Sequence, residues 1–196
     1  MKISNKKGMS TRTMVLGAVL TAIVVVLQFM APLFRFTAFS LSFVLVPIVL
    51  GAALCGVGVS TWLGFVFGVV VLTSGDAASF LAVDIPGTII TVLVKGAACG
   101  LAAGLVYKLL EKKNTYLAVF AAAATCPVVN TGVFLVGCRL FFWETVKAWG
   151  AGLGYENAIA YMLLGLAGVS FLVELLINLV LSPVIIRLIN IRKKNV

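Results

Sequence analysis

Polar side chains interrupt four apolar stretches that are long enough to cross a membrane: they are Gln28, Lys95, Asn130 and Glu174. A polar group inside hydrocarbon is costly, so it is retained where it pairs with another polar group or serves binding or transport. Lys95 could hold the carboxylate of a small molecule, and the two amides and Glu174 could bond its amide or hydroxyl groups. These residue types indicate a binding site inside the membrane.

The spacing of the four side chains from basic and interfacial residues predicts that they lie at one depth. Lys95 and Glu174 are each 13 residues from a basic residue at the cytoplasmic end of their helix. This places both roughly 20 Å above the inner edge of a hydrocarbon layer about 30 Å thick. Asn130 and Gln28 come out at roughly 21 and 24 Å. Asn178 lies one turn below Glu174 on the same helical face and could form the floor of a site.

Two interpretations of these side chains are compatible with the sequence. Lys95 and Glu174 could form an ion pair that joins two helices, with Asn130 and Gln28 hydrogen-bonded across helices. Because buried ion pairs stabilise proteins poorly compared with apolar packing, we favour a ligand site for the first pair. For Gln28 and Asn178, packing between helices and ligand binding explain the sequence equally well.

The composition excludes a water-soluble domain and most catalytic centres. Of 196 residues, 62% are hydrophobic and 11% are charged, against about 45–50% and 25% in an average soluble domain. The mean hydropathy is +1.19. The sequence has no histidine, its four cysteines show no C-x-x-C spacing, and no G-x-x-x-x-G-K-[ST] phosphate loop occurs. We expect neither an enzyme nor a bound cofactor or metal.

The apolar runs predict an all-α membrane protein, a single domain over residues 1–196 with six transmembrane helices. The helices are expected at about 13–33, 40–55, 57–73, 86–107, 116–138 and 158–186. An irregular segment is expected from Arg139 to Asn157.

The basic residues predict the orientation of this bundle. Placing both termini in the cytoplasm puts eleven Lys and Arg residues on the inner side and three on the outer side, as the positive-inside rule requires. The outer three are Arg35, Arg139 and Lys147. Because the net charge of +9 is spread between apolar runs, it does not indicate a nucleic-acid partner.

Small residues recur at intervals of four on three of the predicted helices. These are Gly96, Gly100 and Gly104 on the fourth, Gly64 and Gly68 on the third, and Ala18 and Ala22 on the first. Such a strip lets another backbone approach closely. The approaching helix could belong to the same bundle or to a partner subunit.

Aromatic residues are frequent after the first and fifth helices: Phe34, Phe36, Phe39, Phe141, Phe142, Trp143, Trp149 and Tyr155. They are typical of an interfacial belt, or they could form a lid over a pocket. Gly150, Gly152 and Gly154 would give such a lid backbone freedom. Arg35 and Arg139 could attract an anionic ligand towards it.

The chain resembles the substrate-binding S components of energy-coupling factor (ECF) vitamin transporters. The resemblance covers nearly the whole length and combines several features. They are Ala18-x-x-x-Ala22, the glycine-rich second and third helices, the segment from Lys95-Gly96 to Gly104, and Pro127-Val-Val-Asn130-Thr131-Gly132-Val-Phe134. The resemblance implies a vitamin-binding pocket in the outer half of a prokaryotic cell membrane.

The resemblance also implies protein partners. A family member docks on a transmembrane coupling subunit that carries two ATPase subunits, and topples in the lipid bilayer to release its substrate. Ala18 and Ala22 correspond to the docking face of the first helix. This chain lacks a phosphate loop, which agrees with ATP being hydrolysed by the separate ATPase subunits.

The segment from Pro127 to Phe134 is most similar to the pantothenate-like and riboflavin-like branch. A lysine with nearby amides suits the carboxylate, amide and hydroxyls of pantothenate. Riboflavin would need aromatic stacking deeper in the pocket, where the sequence alone places no ring. The alternatives are a membrane scaffold that binds no small molecule, and an enzyme using Glu174 or Asp84, for which no paired catalytic group is found.

Overall fold

The computed structural model describes residues 10–31 and 43–194, and this part of the chain is helical without strands. Its helices are α1 (Thr11–Met30), α2 (Leu45–Cys55), α3 (Val57–Thr73), α4 (Ala78–Leu81), α5 (Ile85–Leu110), α6 (Thr115–Phe141), α7 (Trp143–Gly152), α8 (Ala158–Ala160) and α9 (Val169–Lys194). A π-helical segment, Tyr161–Gly168, joins α8 to α9. The predicted all-α class is confirmed for these residues.

Four helices are long and apolar enough to cross a membrane: α1, α5, α6 and the continuous run Ala158–Ile191. The predicted spans at 40–55 and 57–73 correspond to shorter apolar helices, α2 with 11 residues and α3 with 17. At 1.5 Å per residue these extend roughly 17 and 26 Å, short of the hydrocarbon thickness of about 30 Å. The predicted end of the first helix at 33 and start of the second at 40 lie outside the described residues.

The turn between α2 and α3 is where the sequence predicts it. Gly56 has φ of +90°, a conformation that side chains other than glycine rarely adopt. This single residue separates the two helices, since α2 ends at Cys55 and α3 begins at Val57.

The segment expected to be irregular between Arg139 and Asn157 is instead largely helical. α6 continues to Phe141, and α7 follows at Trp143–Gly152. The Lys147 ammonium bonds the Glu144 carboxylate at 2.9 Å, one helical turn away, and the Val146 side chain between them is buried. The spacing of these residues favours a helix, and the nearby glycines do not prevent it.

Glycines bring α3 and α5 into direct backbone contact. A Cβ atom added to Gly64 would overlap the carbonyl oxygen of Gly96, and one added to Gly96 would overlap the carbonyl oxygen of Gly64. Gly100 meets the carbonyl oxygen of Ser60 in the same way. The glycine strips of these helices therefore pack against each other within the bundle. This crossing positions the adjacent residue, Lys95, which is buried.

Candidate ligand-binding site

A small cavity lies between α3, α5, α6, the π-helical segment and α9. It is lined by Phe67, Asp76, Lys95, Asn130, Thr131, Phe134, Leu166, Ala167, Ser170, Phe171 and Glu174. Its volume is about 40 Å³, enough for roughly three water molecules. Three of the four side chains predicted to lie at one depth, Lys95, Asn130 and Glu174, therefore meet at one site.

The Lys95 ammonium is held between two aromatic rings. Its Nζ lies 5.6 Å from the ring centroid of Phe67 and 5.4 Å from that of Phe134. Both distances allow attraction between the cation and the electron-rich ring faces. The lysine residue is 7% exposed. Lys95 and Glu174 both line the cavity, and no ion pair within 4.0 Å joins these two described residues.

Asn130 brings an unsatisfied acceptor to the same cavity. The residue is 6% exposed, and its Oδ1 atom is buried without a hydrogen-bond donor. A buried acceptor without a donor costs roughly 1–3 kcal/mol. Asn130 and Phe134 are four residues apart on α6, so they lie on one helical face beside Lys95.

The cavity face of α9 carries polar residues at intervals of four: Ser170, Glu174, Asn178 and Ser182, all buried. Ser170 and Glu174 line the cavity. Asn178 lies one turn beyond Glu174; its Nδ2 donates to the Glu174 backbone oxygen at 2.9 Å, and its Oδ1 is buried without a donor. The Ser182 hydroxyl donates to the Asn178 backbone oxygen at 2.8 Å. Asn178 thus lies beneath the cavity and is not part of its lining.

Gln28 reaches the cavity indirectly, through Asp76. The Gln28 side chain is fully buried, and its Nε2 donates to Asp76 Oδ2 at 3.4 Å. Asp76 follows α3 in the turn that begins with Ser74 and Gly75, where Gly75 has φ of +81°. This turn brings the carboxylate to the cavity, where it is 8% exposed.

The comparison with protein families agrees with this arrangement of a polar cavity inside an apolar helical bundle. The chain matches the family model for the substrate-specific component of ECF transporters over residues 12–186. It belongs to this family. Comparisons with curated proteins and with solved structures found no significant match. Family membership makes the chain a membrane-embedded transport protein whose partners are a small-molecule substrate and an ECF module.

Arg139 lies away from the cavity of this S component. Its side chain is exposed, and the guanidinium carbon lies 4.0 Å from the ring centroid of Trp143. Its position is compatible with attracting an anion at the surface and not with holding one in the cavity. The second arginine considered for that role, Arg35, lies outside the described residues.

The segment considered as a lid packs against an aromatic cluster beside the cavity. Phe80 is the centre of this cluster, with its ring 5.6 Å from Phe134, 5.0 Å from Phe142 and 5.3 Å from Trp149. A Cβ atom on Gly150 would come within 3.0 Å of Tyr161. Phe134 belongs to both the cluster and the cavity lining, so α7 is connected to the site through the packing of aromatic rings.

Aromatic residues in the cavity are the main feature that the sequence did not reveal. Phe67, Phe134 and Phe171 all line it, although the sequence alone placed no ring there. Phe134 could have been found from its spacing of four from Asn130. Asp76 was also missed, because its position in a turn gives no indication that the turn folds inward.

Proposed function

We propose that this S component captures a small, water-soluble, carboxylate-bearing vitamin, with pantothenate as the best candidate. The observation that carries the proposal is the buried Lys95 ammonium beside the unsatisfied Oδ1 of Asn130. A carboxylate would pair with Lys95, while an amide or hydroxyl of the same molecule would donate to Asn130. The ligand's carboxylate would offset the free-energy cost of burying the Lys95 charge. Its amide or hydroxyl would offset the cost of leaving the Asn130 Oδ1 without a donor.

Pantothenate offers both kinds of group. It has one carboxylate, one amide and two hydroxyls, and its branched methyl groups could pack on the rings of Phe67 and Phe134. Riboflavin is the alternative, because three phenylalanines in the lining also suit a planar ring system. The small cavity volume of about 40 Å³ means that either molecule must displace side chains of the lining when it binds.

The orientation and docking of the chain are part of this proposal. We place both termini in the cytoplasm of a prokaryotic cell, with α2 and α3 completing a bundle of six membrane helices and the cavity in the outer half. Ala18 and Ala22 are exposed on α1, as a docking face for the transmembrane coupling subunit requires. The energy would come from the two ATPases of the ECF module.

Thermal unfolding of the purified protein in detergent, with a panel of vitamins and precursors, tests the proposal. A ligand present at about 1,000 times its dissociation constant stabilises the folded state by about 4 kcal/mol. We expect pantothenate to raise the midpoint and the Lys95→Met variant to lose that response. A response to riboflavin alone would select the alternative substrate. A folded sample that responds to no member of the panel would contradict vitamin binding and favour a scaffold.

A further inference from the structure

We propose that Gln28 is a positioning residue that holds the Asp76 carboxylate at the ligand cavity. Gln28 does not line the cavity, yet it is the buried polar end of an otherwise apolar face of α1. The buried residues of that helix are Leu20, Val24 and Gln28, each one turn apart. The amide at the end of this face points to the Asp76 carboxylate, 3.4 Å away.

Asp76 lies in a turn and not on a long helix, and the Gln28 amide is one of the groups that contact its carboxylate. The turn connects α3 to the four-residue helix α4. Because a buried carboxylate has lost its contact with water, it needs hydrogen-bond donors from the protein to remain charged. The Gln28 Nε2 group supplies one donor from a helix that packs on α2 and α3.

The consequence is a cavity with charges of opposite sign in its lining. Lys95 contributes a cation from α5, and Asp76 contributes an anion from the α3–α4 turn. A carboxylate has room for several hydrogen bonds, so Asp76 can accept from Gln28 and from a ligand N–H or O–H together. Gln28 would thereby tune recognition of the ligand's donor group without touching the ligand.

Charged thiol reagents can measure this effect in the whole protein without any vitamin. Thr131 lines the cavity and is partly exposed, so Thr131→Cys introduces a reporter there. The quantity measured is the ratio of its labelling rates with methanethiosulfonate ethylammonium and methanethiosulfonate ethylsulfonate, read by mass spectrometry at that residue. Parallel labelling of the parent chain corrects for its four natural cysteines.

A carboxylate fixed at the cavity favours the cationic reagent. We expect Asp76→Asn to lower the ratio roughly tenfold. Gln28→Asn, whose amide is one methylene too short to reach Asp76, should also lower the ratio, by a smaller factor because the carboxylate charge is retained. Adding Asp76→Glu to Gln28→Asn lengthens the carboxylate side chain and should restore most of the ratio. Val24→Ala removes apolar packing one turn earlier on the same face and should leave the ratio unchanged.

Each result decides for or against the positioning role. An unchanged ratio in Gln28→Asn, beside a lowered ratio in Asp76→Asn, would overturn it. So would an unchanged ratio in Asp76→Asn, or a loss in Gln28→Asn that Asp76→Glu does not restore. Assigning the cavity to a ligand rests on the proposed function, but the labelling ratio does not depend on ligand binding. Failure of the vitamin panel and failure of this proposal can therefore be told apart.

Discussion

Gly64 on α3 and Gly96 on α5 face each other so closely that a Cβ atom on either would overlap the carbonyl oxygen of the other. Lys95 precedes Gly96, so this backbone contact also determines where the cavity's cation lies. Both the stability of the bundle and the position of the binding site therefore depend on the absence of two side chains.

Gly96→Ala should destabilise the protein strongly. The added methyl group meets backbone atoms of α3, which cannot move without separating the two helices, and overpacking of this kind costs roughly 1–3 kcal/mol or more. The measurement is the thermal unfolding midpoint in detergent. Gly132→Ala is the matched control, because a Cβ there finds no atom within 4 Å and alanine favours the helix. Equal midpoints for Gly96→Ala and Gly132→Ala would contradict the close contact.

Lys95→Ala should weaken binding of the vitamin identified by the panel by about 2–5 kcal/mol, because a buried anion would lose its partner. Isothermal titration of the purified variant measures this loss. Lys147→Ala serves as the control, since Lys147 is exposed and pairs with Glu144 at the surface. Unchanged affinity in Lys95→Ala would remove Lys95 from the site and return it to a structural role.

Asn130→Leu should affect folding and binding in opposite directions. Removing a buried acceptor that has no donor should raise the stability of the ligand-free protein by about 1 kcal/mol. Loss of the ligand's hydrogen bond should lower the affinity about tenfold. Asn178→Leu is the comparison variant, because Asn178 lies beneath the cavity without lining it and donates to the Glu174 backbone oxygen. The comparison distinguishes the effect of a lining residue from that of a buried residue outside the lining. Lower stability of ligand-free Asn130→Leu would show that its amide supports the fold.

Replacing Ala18 and Ala22 together with leucine should leave vitamin binding intact and abolish uptake by cells that contain the ECF module. The larger side chains would prevent close approach of the coupling subunit to α1. Ile23→Phe is the control, because Ile23 is exposed on α1 about 100° around the helix from Ala22. Normal uptake by the Ala18→Leu, Ala22→Leu variant would place the docking face elsewhere.

Which positions of different helices lie level with one another could be predicted from the sequence because a helix rises by a constant distance per residue. Counting from anchors brought Lys95, Asn130 and Glu174 to one level, and the structure places all three in one cavity. The same counting placed Gln28 at that level. It could not show that Gln28 bonds Asp76 and does not line the cavity, since depth says nothing about the direction in which a side chain points.

The sequence by itself determined the membrane environment, the helical class and the family, because these follow from composition, apolar run length and short motifs. The tertiary structure alone decided which surfaces meet: Gly64 against Gly96, Phe67 and Phe134 around Lys95, and Asp76 folded inward beside Gln28. Contacts of this kind depend on how helices rotate and cross, and that is set by packing between segments distant in the chain. A periodic pattern shows which residues share one face of a helix. Which residues that face contacts is decided by how the helices pack together.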